Sequence, residues 1–129
     1  MTVFKTRVPN HFDLPRRINR LGELAYNLWW TWQPQAQRLF SHVDNELWER
    51  LSHNPILFLR EASRSSLNEA AQNSAYLDNY DQVFAKFDAY MAKSGTWCDQ
   101  HYGDFCDNPI AYFSMEFGLH EILPIYSGG

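Results

Sequence analysis

The feature that most constrains the fold is the spacing of apolar side chains between residues 14 and 95, which repeats every three to four positions. The longest example precedes Ser94-Gly95 and consists of Tyr76, Tyr80, Val83, Phe84, Phe87, Tyr90 and Met91. An α-helix turns once in about 3.6 residues, so these side chains share one face. Glycine readily adopts the left-handed conformation that closes a helix, so Gly95 marks the end. The pattern predicts a long amphipathic helix in a mainly α-helical chain.

A second apolar stripe lies further towards the N-terminus and predicts one helix, from residue 14 to residue 32, that ends before Pro34. Its members are Leu14, Ile18, Leu21, Leu24, Ala25, Leu28, Trp29 and Trp32. In such a helix Trp29 and Trp32 would lie in the core. Tyr26 and Trp30 would lie together, one turn apart, toward the polar side.

Shorter helices are predicted between these two stripes, because residues that favour helix starts recur there. Pro34 suits the first turn of a helix, where its missing N–H group has no intrahelical partner. Asp44 and Asn54 are good N-caps. Ser66 and Glu69 have the spacing of a capping box, which predicts another helix start at Ser66.

The pattern changes after Gly95. Residues 96–108 are typical of a loop or a short helical turn, and residues 109–115 form a continuous apolar run. Such a run is typical of a strand buried on both faces inside a parallel sheet. No second strand is predicted, so we interpret the sequence as cut within a larger sheet domain. Gly128-Gly129 follow a loop, and paired glycines let backbone N–H groups approach a phosphate closely.

Composition argues against several classes of function. The net charge is −4 at pH 7 and the basic residues are scattered, so no nucleic-acid partner is expected. Cys98 and Cys106 lack the spacing of a zinc site or a disulfide framework, and we expect free thiols. No apolar stretch resembles a membrane span or a signal peptide, so we expect no membrane partner and a cytoplasmic location.

Four segments of the sequence carry a resemblance to a known enzyme family. Residues 111–121 read AYFSMEFGLHE, and residues 123–129 read LPIYSGG. This stretch closely resembles the start of the catalytic region in α-glucan phosphorylases. Residues 23–32, ELAYNLWWTW, and residues 53–55, HNP, resemble the helical N-terminal domain that bacterial and archaeal members carry. The resemblance spans most of the chain.

The resemblance implies an activity, a cofactor and partners. Members cleave α-1,4-glucans with inorganic phosphate and release glucose 1-phosphate, using pyridoxal phosphate in a two-lobed Rossmann-like (GT-B type) fold. The chain would then comprise a small helical domain (1–95), a linker (96–108), and the first strand and Gly-rich loop of a truncated catalytic domain (109–129). The cofactor lysine lies downstream in such enzymes. We therefore expect this chain alone to hold no pyridoxal phosphate and no catalytic residue, and the missing catalytic domain to pack against it.

The resemblance also implies roles for single residues near the C-terminus. The backbone amides of Gly128 and Gly129 would face the sugar and its phosphate. Glu116 matches a carboxylate that lines the glucose subsite, and His120 lies in the same loop as a further substrate-binding residue. We expect no metal-binding or cofactor-binding residue in this chain.

Several alternatives remain open at the level of sequence. Tyr26 and Trp30 would need a partner, because soluble domains rarely expose such a pair. That partner would be the missing catalytic domain, other helices of the same domain, or a glucan on which the rings stack. The whole chain would otherwise be a stand-alone helical module that binds a glucan or a protein, or a fragment of a glycogen synthase. The run YFSMEFG at residues 112–118 favours a phosphorylase.

Overall fold

The computed structural model describes residues 12–104 and 110–114, and the regular structure within these residues is entirely helical. This confirms the prediction of a mainly α-helical chain. The α-helices in the described part are α1 Leu21–Ala25, α2 Pro34–Ser41, α3 Asn45–Arg50, α4 Pro55–Glu61, α5 Arg64–Ala70, α6 Ser74–Met91 and α7 Trp97–His101. A first 3-10 helix, Arg16–Ile18, precedes α1, and a second 3-10 helix, Leu28–Trp32, follows it.

Helix α6 is the long amphipathic helix that the spacing predicted, and it forms one wall of the core. The buried part of its apolar face consists of Tyr76, Tyr80, Val83, Phe84 and Phe87. Tyr90 and Met91 continue the same face but are 55% and 56% exposed. Asn73 caps the helix, because its side chain accepts the N–H of Tyr76 at 3.0 Å. Gly95 has the predicted left-handed conformation (φ +70°), but it lies in the loop after α6.

The single helix predicted from residue 14 to residue 32 was wrong. The chain there is divided into the first 3-10 helix, α1 and the second 3-10 helix. Asn27 separates the last two: its backbone is extended (φ −113°, ψ 119°) and its side chain accepts the N–H of Trp29 at 2.9 Å. An asparagine side chain that bonds to the backbone in this way competes with continuation of a helix. The apolar stripe is therefore distributed over three short elements.

The starts predicted for the next helices were correct in all cases but one. Pro34 occupies the first turn of α2. Asp44 and Asn54 cap α3 and α4, accepting backbone N–H groups at 2.9 and 3.1 Å. The start predicted at Ser66 was wrong, because Ser63 caps α5 and its hydroxyl accepts the Ser66 N–H at 3.0 Å. Either serine could serve as an N-cap, and the sequence alone does not choose between them.

Four aromatic side chains from different elements form the centre of the core. Trp30, Phe40, Trp48 and Phe58 are all less than 5% exposed. Phe40 and Trp48 stack with ring centroids 5.1 Å apart and planes at 11°. Trp30 and Phe58 meet this stack edge-on, at 5.7 to 6.2 Å. These offset and edge-to-face contacts are the favoured geometries for aromatic pairs, and they join α2, α3, α4 and the second 3-10 helix.

Two arginines near the N-terminus connect that part of the chain to α6. Arg17 pairs with Asp81 at 2.6 Å, and Arg20 pairs with Asp88 at 2.6 Å. The Arg20 backbone N–H also donates to the Tyr80 hydroxyl at 3.2 Å. Hydrogen bonding from Arg20 lowers the pKa of Asp88, and burial raises the pKa of Tyr80 to about 12. Because both ion pairs are exposed, they fix geometry more than they add stability.

The described residues after α7 do not form the predicted strand. Residues 110–114 have no regular secondary structure, and Ile110, Tyr112 and Phe113 are highly exposed. A strand needs a neighbouring strand to satisfy its backbone hydrogen bonds, and the described residues supply none. The strand over residues 109–115 remains a prediction for a longer polypeptide.

Candidate functional site

The residues that the resemblance placed at the substrate lie outside the part of the chain that the structure describes. These residues are Glu116, His120, Gly128 and Gly129. Cys106 also lies there, whereas Cys98 is an exposed free thiol in α7. The roles inferred for the four substrate residues therefore stay predictions.

The prediction that Trp30 lies toward the polar side was wrong. Its side chain is 1% exposed and is packed against Phe40 and Trp48. The division of the predicted helix at Asn27 turns the second 3-10 helix, so residues 26 and 30 no longer share a face. Trp30 packs on other elements of its own domain, which was one of the three partners left open. It cannot contact a glucan or a second domain in this structure.

Tyr26 remains a candidate for such a contact. It is 40% exposed, and its ring lies 6.0 Å from that of Phe12. The tyrosine is therefore partly covered by the chain itself and partly exposed to solvent. Docking or glucan contact at Tyr26 stays a prediction.

The two other tryptophans of this segment also differ from each other. Trp29 is buried, as predicted, and contacts the rings of Phe87 at 5.3 Å and Tyr90 at 6.3 Å. Trp32 was predicted in the core but is 60% exposed. A 3-10 helix has about three residues per turn, so Trp32 lies directly one turn beyond Trp29. The core ends between these two tryptophans, so Trp32 lies outside it.

Two exposed apolar side chains at the end of α6, Tyr90 and Met91, and a third in the second 3-10 helix, Trp32, are together called the aromatic edge. Tyr90 contacts Trp29, which Trp32 follows by one turn. The Met91 sulfur lies 3.6 Å from the side-chain nitrogen of Asn27. Each of the three is more than half exposed. The sequence showed that the apolar face of α6 continues to Met91, but periodicity does not reveal how far along a helix its own core reaches.

A second group of exposed aromatic side chains lies in and just after α7. Trp97 is 66% exposed, and its ring stacks on His101 with centroids 5.1 Å apart. Tyr102 lies 5.2 Å from Trp97. A capping box between Thr96 and Asp99 starts this helix.

The turn before Pro55 contains two left-handed residues, and its geometry explains them. Ser52 and His53 have φ values of 50° and 60°. The Ser52 N–H donates to the Glu49 carbonyl at 3.0 Å, and the His53 N–H donates to the Trp48 carbonyl at 3.1 Å. These two bonds form a Schellman motif, in which the imidazole also packs on Trp48 at 5.3 Å. The turn thus has a structural role.

The described residues contain no group of histidine, cysteine, aspartate or glutamate side chains suited to a metal ion. Two open grooves indent this part of the surface. The larger, of about 420 Å³, is lined by His42, Glu69, Asn73 and Tyr76 among others. The smaller contains Arg64, which pairs with Asp13 across it. Within the same residues, no helix is both long and apolar enough to cross a membrane.

Comparison with known proteins places this arrangement in context. The family described as "Protein of unknown function (DUF3417)" matches residues 14–123. The chain is 34% identical to the maltodextrin phosphorylase of Thermococcus litoralis over 116 residues. It is 35% identical to the glycogen phosphorylase of Mycobacterium tuberculosis over 120 residues, and 38% identical to that of Aquifex aeolicus over 109. No solved structure matches significantly.

The matches cover most of this chain but only a small part of each relative. They cover 90% of this chain for the first two relatives and 84% for the third. The chain spans only 14% to 15% of the length of those curated relatives. The resemblance to phosphorylases drawn from the sequence is thereby confirmed. The chain belongs to the family described as "Protein of unknown function (DUF3417)" and is similar to the N-terminal region of glycogen and maltodextrin phosphorylases.

Proposed function

We propose that this chain serves as the N-terminal helical part of an α-1,4-glucan phosphorylase, which uses inorganic phosphate to release glucose 1-phosphate from a glucan. The observation that carries the proposal is the similarity along 90% of the chain to proteins named maltodextrin and glycogen phosphorylase. Because the chain spans 14% of their length, most of the catalytic machinery belongs to the remaining polypeptide. We expect the chain alone to be catalytically inactive. We also propose that the protein is cytoplasmic.

The lysines among the described residues do not fit pyridoxal phosphate. A cofactor lysine has to sit in a shielded pocket, where desolvation lowers its pKa and makes the amine nucleophilic. Lys86 is exposed and donates to the Gln35 side chain at 2.5 Å, and Lys93 is exposed after the end of α6. These positions support a cofactor held elsewhere in the longer protein, where the family resemblance puts it.

The proposal assigns residues 109–129 to the start of the catalytic domain, after a helical domain (1–95) and a linker (96–108). There, Gly128 and Gly129 would direct backbone N–H groups toward phosphate oxygens, which are strong acceptors of charge-assisted hydrogen bonds. The Glu116 carboxylate would accept hydrogen bonds from sugar hydroxyls, and His120 would contribute from the same loop. Preorganised groups of this kind stabilise developing charge in a site that excludes water.

A chimeric enzyme tests the proposal. The matching region of the Thermococcus litoralis enzyme is replaced by this chain, and glucose 1-phosphate formation from maltodextrin and phosphate is measured. We expect the chimera to be active and the isolated chain to be inactive. In the chimera, Glu116→Gln should lower kcat/KM about tenfold or more, since a charged hydrogen bond is lost.

The matched control is Glu46→Gln, which changes an exposed glutamate in α3. It should leave kcat/KM unchanged. A folded chimera without phosphorolysis would contradict the proposed function. Equal effects of the two substitutions would contradict the role of Glu116.

A further inference from the structure

The apolar face of α6 is longer than the core that it covers. Its first five members are buried, up to Phe87, which is 2% exposed. Tyr90 and Met91 continue the same face at helical spacing, but are 55% and 56% exposed. Trp32 follows Trp29, whose ring contacts that of Tyr90, by one turn of the second 3-10 helix, and it is the most exposed of the three at 60%. Three large apolar side chains exposed around one buried tryptophan and the end of one helix favour a surface that has a partner.

Two of the charged groups on α6 near this edge have partners. Asp88 is engaged by Arg20 at 2.6 Å, and Lys86 donates to Gln35 at 2.5 Å. A partner that covers the aromatic edge would therefore meet the Asp88 carboxylate already paired with Arg20. An apolar centre with a polar, satisfied periphery is the usual construction of a protein interface. The matching surface should be aromatic or aliphatic and uncharged.

We propose that the aromatic edge is the surface on which the remaining polypeptide of the phosphorylase packs. This inference rests on the proposed function. The chain spans 14% of the length of its phosphorylase relatives, so a much larger partner is covalently attached to the same region in those proteins. Tyr90 and Met91 lie at the end of α6, which precedes α7 and the exposed residues 110–113 in the chain.

The size of the edge favours a tethered partner over a free one. The exposed parts of its three side chains amount to roughly 400 Å², given that a whole aromatic side chain buries about 150–250 Å². A standard interface between separate proteins takes about 800 Å² from each partner. A second copy of the chain would therefore bind weakly through this edge alone. A linked domain is present at a high effective concentration and needs far less contact area.

Hydroxyl-radical labelling read by mass spectrometry tests the inference, because aromatic rings and methionine sulfur react readily. The isolated chain and the chimeric enzyme described above are labelled in parallel. Labelling of Trp32, Tyr90 and Met91 should fall roughly fivefold or more in the chimera, as expected for side chains that become an interface core. Leu57 of α4 is 40% exposed and provides the control, which should be labelled equally in both proteins.

A matched pair of variants provides the second measurement. Trp32→Asp in the chimera should undock the helical domain and accelerate proteolytic cleavage within residues 96–108 about tenfold or more. Leu57→Asp should leave the cleavage rate unchanged. Circular dichroism of the isolated variants checks that both retain the fold, which is expected because both side chains are exposed.

The outcomes separate this inference from the proposed function. An active chimera with unchanged labelling at the aromatic edge would overturn the inference and leave the function standing. Protection without phosphorolysis would support the docking surface and contradict the function. Protection of Trp32 in the isolated chain by added maltoheptaose would show that the aromatic edge binds a glucan and not the remaining polypeptide. Protection that grows with the concentration of the isolated chain would show that the aromatic edge binds a second copy of the chain.

Discussion

Exchange of Trp30 for alanine should destabilise this chain strongly, whereas exchange of Trp32 should change its stability very little. Trp30 is 1% exposed and meets two rings of the central aromatic cluster, whereas Trp32 is 60% exposed. Truncation of a buried tryptophan costs about 3–5 kcal/mol, because transfer free energy is lost and a cavity remains. Truncation of an exposed side chain usually changes stability by less than about 0.5 kcal/mol.

The loss at Trp30 is large compared with the stability of a small domain, which is about 5–15 kcal/mol in total. With a urea m-value of about 2 kcal/mol/M, Trp30→Ala should lower the unfolding midpoint by roughly 2 M. Trp32→Ala should move it by less than about 0.3 M on the same basis. Far-UV circular dichroism is the appropriate probe, since fluorescence would change with the loss of either indole.

A third variant guards against a Trp30→Ala protein that fails to fold. Trp30→Phe keeps an aromatic ring against Phe40 and Trp48 and should show an intermediate loss. Equal midpoint shifts for Trp30→Ala and Trp32→Ala would refute the arrangement of the second 3-10 helix. A larger shift for Trp32→Ala than for Trp30→Ala would favour the continuous helix predicted from the sequence.

Two further predictions concern the turn before α4 and the tyrosines of α6. Ser52→Gly should raise the free energy of unfolding by about 0.5 kcal/mol, because glycine removes the cost of the left-handed conformation but also gains conformational freedom in the unfolded chain. Urea titration measures this free energy, and an equal gain for Ser52→Ala would refute the prediction. Burial raises the pKa of Tyr76 and Tyr80, the latter to about 12, so stability should be complete below about pH 10 and fall as pH rises toward 12. Unchanged urea midpoints between about pH 9 and about pH 11 would contradict this assignment.

Local chemistry made much of the fold predictable from sequence. Asp44, Asn54 and Pro34 start helices where expected, since capping and the missing N–H of proline act within a few residues. The long face of α6 was predictable because 18 residues sample the helical period repeatedly. These signals do not depend on the rest of the chain.

The failures arose where a local bond or a distant contact decides between alternatives that fit the sequence equally well. The stripe from residue 14 to residue 32 fits one helix, but the capping bond of Asn27 and the packing of Trp29 on α6 divide it. Exposure of Trp32 depends on where the core ends, which is a property of the packed domain. The strand over residues 109–115 depends on partner strands that the described residues do not include. The substrate residues Glu116, His120, Gly128 and Gly129 remain predictions from the resemblance.

The contacts between the first segment and α6 have a consequence for biosynthesis. Arg17 and Arg20 bond to residues that follow them by 60 to 68 positions. During synthesis, Asp88 therefore has to emerge from the ribosome before the first helical turns can pack against α6. Contacts that are distant in sequence also slow folding, because a long loop must be closed before they form. Chaperones would meet the uncovered leucines of α1 throughout this interval.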